Sequence, residues 1–163
     1  METHEIILTI AEMHAGAQTG INRRIAALKR ELKDQHGFNG DGWGIHIEGA
    51  CGEIAFCKLM NRFWSPSVNT FKTEADVGEQ YEVRTRSQHE YELLIREDDN
   101  DDRIFVLVTG HAPKFIIHGW KTGREAKRDE WQQTHGGRPP AWFVPHINLE
   151  PISLIPKRGV ISR

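Results

Sequence analysis

The stretch ADVGEQYEVRTR, residues 75–86, decides how this chain is read. From Tyr81 onward apolar and charged residues alternate: Tyr81, Val83 and Thr85 against Glu82, Arg84 and Arg86. That period of two predicts a strand over about 80–87. Residues two apart share a face, so Glu82, Arg84 and Arg86 project together while Val83 and Thr85 turn to the core. Asp76 stands six residues before Glu82. A turn or bulge at the nearby Gly78 would bring the two acids side by side. Adjacent carboxylates repel, and one pKa rises unless a cation lies between them.

Working outward, strands are also expected at about 91–97, 103–109 and 114–120, from the runs around Leu94, Val106 and Ile116. EDDNDD, residues 97–102, sits between two of them and reads as a solvated hairpin tip. Counted from Asp98, it has Arg103 and Thr109 where a calcium-binding EF-hand needs glycine and glutamate. GREAKRDEW, residues 123–131, reads as an amphipathic helix, THGGRPP at 134–140 as a loop and AWFVP at 141–145 as a short extended segment.

Upstream, residues 46–62 read as a helix in which Glu53 lies among apolar neighbours and needs a partner. Gly49 and Gly52 weaken that helix, a cost accepted where another backbone passes close. HGFNGDGWG, residues 36–44, reads as a loop, without the Lys-Ser/Thr ending of a nucleotide-binding P-loop. Before it, apolar spacings of three and four predict helix from about Glu5 to Leu32, with Gly16 and Gly20 dividing it in two.

The whole reads as one domain, 1–163: an N-terminal helical region at 1–45, a core at 46–131, and a C-terminal loop and short strand at 132–163. The class is α/β in the broad sense, α+β in order, with helices first and then a mainly antiparallel sheet. With 38% hydrophobic and 27% charged residues the chain is neither disordered nor fibrous. A net charge of -2 excludes a protein that coats nucleic acid, yet allows a local basic face such as Lys121, Arg124, Lys127 and Arg128. Cys51 and Cys57 point to different sides of one helix, which suits reduced thiols and a cytoplasmic location. No signal peptide is expected, nor a membrane partner, since no apolar run approaches spanning length.

A helix glutamate, then an aspartate, then Glu-x-cation on a strand resembles the PD-(D/E)XK nuclease superfamily, phage and prophage members included. The resemblance covers about residues 46–131. It implies a restriction-endonuclease-like mixed sheet of about four to five strands flanked by helices. It implies Asp76 and Glu82 as metal ligands together with the Val83 carbonyl, Glu53 as the auxiliary acid, and magnesium or manganese as cofactor. It implies a hydrolase acting on nucleic acid, expected to be DNA, with Arg84, Arg86, Lys121 and Arg124 as contacts, and a homodimer as one assembly. One position departs from the pattern: the lysine slot holds Arg84. Arginine neutralises charge but cannot give up its proton. Lys58 or Lys72 would have to supply an ammonium. The departure leaves two readings, an active metal-dependent nuclease and an inactive module of the same fold that binds nucleic acid or a partner protein.

Overall fold

The structure, a computed structural model, describes residues 1–30, 41–68 and 75–157. Residues 36–40 of the loop expected at 36–44, Lys72 and the tail from 158 lie outside them.

Among the described residues the fold is α+β, with three α-helices and two sheets. β1 (His4–Ile7) comes first, so the helical reading from Glu5 is corrected: that segment pairs antiparallel with β5 (Lys114–Thr122). α1 (Ile10–Lys29) starts where Thr9 and Glu12 form a reciprocal capping box. Gly16 and Gly20 do not divide it. They form the contact with α2 (Gly42–Leu59): a Cβ on Gly20 would collide with the Ile47 backbone, and one on Gly16 with Cys51. α2 begins four residues earlier than expected because the Asp41 carboxylate caps the Trp43 N–H at 3.0 Å. Ala50 to Cys57 are buried without a break. A helix buried all round is one enclosed on both sides, here by α1 and by a sheet.

That sheet has the order β1-β5-β4-β2. β4 (Ile104–His111) pairs antiparallel with β5 but parallel with β2 (Tyr81–Arg86). β3 (Leu93–Arg96) is not in it. It joins β7 (Ala141–Val144) and the short β6 (Gln132–Gln133) in a second, antiparallel sheet. The expected single sheet is therefore two sheets, of four and three strands. Residues 97–102 link the two sheets rather than turn a hairpin, which is why β2 and β4 can run parallel.

One core lies between α2 and the four-stranded sheet, around Phe56, Tyr81 and Val106. A second lies between the sheets, around Leu93, Phe105 and Trp131. β4 is covered on both faces, and Ile104 to Gly110 are all buried. α3 spans only Gly123–Ala126, shorter than expected. Its continuation is held elsewhere: Lys127 Nζ donates to the Asp99 carbonyl at 2.8 Å and to Asp101, and Trp131 turns into the second core through a 3-10 turn. Among the described residues no helix is long and apolar enough to cross a membrane.

Candidate active site

Val77 and Tyr81 form an antiparallel bridge, closed by two main-chain hydrogen bonds across Gly78, whose φ is +60°. A side chain is strained at that φ, and glycine is not. Extending the bridge by one residue puts Asp76 opposite Glu82, as neighbours across a tight hairpin. The Asp76 carboxylate accepts the Val83 N–H at 2.8 Å through Oδ2.

β2 is an edge strand, and this pairing lies on its open side. The Gln80 carbonyl accepts from Ile104 N–H, so even-numbered residues turn their main-chain groups to β4. Val83 is odd. Its N–H meets Asp76, and its C=O faces the same open edge, because an extended residue points both groups to one side. Side chains alternate the other way. Tyr81 and Val83 enter the core under α2, while Arg84 lies over the Phe105 ring and Arg86 near Phe143, on the side of the second sheet.

Glu53 approaches from α2, one residue beyond Gly52. A Cβ on Gly52 would run into the Thr85 side chain, so glycine lets the helix lie against β2 at that level. What crowds this glycine is a side chain rather than the passing backbone expected, and Gly49 faces open space. Glu53 is 4% exposed. Arg23 of α1 grips it with two hydrogen bonds, at 2.6 and 3.1 Å, and Trp64 Nε1 donates to it at 3.3 Å. Arg23 Nε also donates to the Ser67 carbonyl at 2.9 Å.

Three acids thus line up across the strand edge, with Asp76 in the middle. Burial first, and then the charge of Asp76, push Glu82 up to about 7. Burial raises Glu53 to about 6 against the pull of Arg23, and Asp76 adds to the rise. Both are the upward shifts expected for carboxylates crowded together out of water.

The cations around these acids are already engaged. Arg103 makes a short ion pair with Glu82. Arg84 pairs with Asp99 at 2.6 Å. Asp99 also accepts the Arg96 N–H, and its side chain is 10% exposed, so the acidic tip is not fully solvated as expected. Arg86 donates to the Glu92 carbonyl at 2.9 Å. Lys121 is buried beside Glu150 at 2.8 Å, and Arg124 reaches Asp102 at 2.9 Å. The basic patch expected beside the site is therefore largely neutralised by acids of the chain. Lys58 binds Glu12 and the Ile7 carbonyl on the far side of α2 and does not fill the lysine slot.

Sequence reading missed Arg23 and Arg103. Arg23 sits on a helix face that reads as solvated, and Arg103 precedes a strand without any motif. The signal for Arg23 was indirect: a glutamate amid apolar residues requires a cation from somewhere.

Among the described residues no group of three or more His, Cys, Asp or Glu side chains is arranged to hold a metal ion. Glu53 is occupied by Arg23 and Trp64 and Glu82 by Arg103, so the open edge offers Asp76, the Val83 carbonyl and, once Arg103 gives way, Glu82. That is a poor cage for zinc or calcium. It fits magnesium, which uses one or two carboxylates and completes its shell with water and substrate oxygens. No family model, no curated protein and no solved structure matches the chain.

Proposed function

We propose that this chain is a divalent-metal-dependent nuclease that hydrolyses phosphodiester bonds in DNA, built on the plan of the PD-(D/E)XK superfamily. The observation that carries the reading is the hairpin register: Asp76 opposite Glu82, with the Val83 carbonyl beside them, on the open edge of β2. The Asp76 and Glu82 carboxylates and the Val83 carbonyl would hold magnesium or manganese. Such an ion supplies neutralisation of phosphoryl charge and acidification of water. Glu53, held by Arg23 and Trp64, would support that ion through water as an auxiliary acid. Arg103, next to Glu82, supplies positive charge where the pentavalent phosphorus gathers negative charge. Water would attack phosphorus in line, losing its proton to solvent, as the P–O bond opposite it breaks and the leaving oxygen takes a proton from solvent. Arg84 must exchange Asp99 for a phosphate oxygen to take part.

The test is cleavage of plasmid and of short duplexes in magnesium or manganese, with Asp76→Ala as control. Products that form only with metal and vanish in the variant support the proposal. Intact substrates with both metals, at several lengths and strandednesses, count against it.

The Arg84–Asp99 ion pair favours a second reading, in which the same fold binds nucleic acid or a partner protein without cutting. There Arg84→Ala weakens binding and magnesium changes nothing.

A further inference from the structure

The face of β2 that carries Glu82 and Arg84 runs on to Arg86, four residues past Glu82 and about 13 Å farther along an extended strand. Arg86 opens into a cavity of about 370 Å³ between the second sheet and the 133–140 loop. Its walls are apolar and flat in part: Leu94, Phe143, Pro139 and Pro140. The His135 and Phe143 rings are perpendicular, with centroids 5.2 Å apart at 89°. The lining carries three arginines, Arg86, Arg96 and Arg138, and two acids, Glu97 and Asp98.

Arg86 is the informative member. Its Cζ lies 4.5 Å from the Tyr91 ring centroid and 5.9 Å from that of Phe143. Its Nη1 donates to a neutral acceptor, the Glu92 carbonyl. Among the described residues no carboxylate is in ion-pair contact with it. Glu92 supports its charge through space without an ion pair, so an incoming anion would give this half-buried guanidinium a direct partner. An arginine backed by aromatic rings at the mouth of an apolar slot suits a ligand with an anionic end and a flat ring.

We propose that this cavity is a nucleotide pocket, with phosphate on Arg86 and the base against Phe143 and the Pro139–Pro140 wall. The inference goes beyond the nuclease reading, because the lining takes a nucleotide whether or not the acids bind metal. The nucleotide has two sources. It is free, or it belongs to a single strand, which at about 3.4 Å per stacked nucleotide crosses from Glu82 to Arg86 in a few nucleotides.

The experiment is calorimetric titration of the full chain in chelator with dTMP, dAMP, thymidine, inorganic phosphate and a short oligo-dT. Hydrogen exchange on the wild type, with and without each ligand, reads the location. A free-nucleotide site binds dTMP or dAMP at least tenfold more tightly than thymidine or phosphate, and protects residues 133–143. A strand site shows the same protection with oligo-dT only. Arg86→Gln lowers either affinity at least tenfold, and Phe143→Leu lowers it with the phosphate contact intact. Phosphate binding as well as dTMP, or no protection of 133–143 by any of these ligands, overturns the proposal. Metal-dependent cleavage is read separately, so loss of one proposal leaves the other standing.

Discussion

Asp76→Asn isolates the electrostatics of the acid cluster from its shape. The amide keeps an oxygen to accept the Val83 N–H, and it presents an N–H where Glu82 met a like charge. Glu82 rises from 4.5 to about 7 in the fold, and Glu53 from 4.5 to about 6. A carboxylate raised in the folded state favours folding fully below its unfolded pKa, and that contribution is lost as pH climbs through the folded value. The wild type, kept in chelator, should therefore lose stability between about pH 4.5 and 7 on account of these two groups. At about 1.4 kcal/mol per pH unit, the Glu82 rise alone corresponds to about 3 kcal/mol. Burial is its first cause and Asp76 its second, so about 1 kcal/mol is assigned to Asp76. Asp76→Asn should give back that amount at about pH 8 and little at about pH 5, where both glutamates are protonated in the fold. Loss of the charge-assisted hydrogen bond to Val83 lowers stability by about 1 kcal/mol at both pH values, so the difference between them is the readout. Urea denaturation followed by tryptophan fluorescence measures it, the five tryptophans serving as reporters. A variant whose stability change is the same at both pH values, or more unfavourable at the higher one, would refute the account of a crowded acid edge.

Arg23→Ala leaves Glu53 buried without its cation. It should lower stability by about 3 kcal/mol at neutral pH and by less near pH 5, where Glu53 protonates, in the same denaturation assay. Gly52→Ala forces a methyl group onto Thr85 and should destabilise by about 1–3 kcal/mol, whereas Gly49→Ala meets open space and should stabilise by about 0.5–1 kcal/mol; thermal melts of the pair compare them. His118 shares the Thr109 hydroxyl with His89 and lies 4.5 Å from the His146 ring, and burial and those rings lower it from 6.5 to about 4. The unfolded state then binds the extra proton, so the His118 contribution to stability is full above about pH 6.5 and is lost towards pH 4, by roughly 2 kcal/mol after discounting for solvent still reaching the ring. His118→Gln should flatten that acid limb, as urea midpoints across the range will read.

Local pattern alone placed a strand at about 80–87, where β2 spans Tyr81–Arg86, because its alternation needs no partner to be seen. It placed Glu53 inside a helix without polar neighbours and required something to answer its charge. It also placed Asp76 near a glycine turn, from which pairing with Glu82 follows by short-range geometry. What needed the tertiary structure was every long-range partner. Arg23 lies 30 residues from Glu53, Arg103 lies 21 from Glu82, and both arrive through packing of separate elements. The parallel pairing of β2 with β4, and the departure of β3 to a second sheet, turn on which faces are covered, and an apolar run looks alike in either arrangement. The same limit misplaced the acidic tip. A string of aspartates reads as solvated until Arg84 is brought against Asp99, so the charge state of the site depends on a contact between segments that the sequence keeps apart.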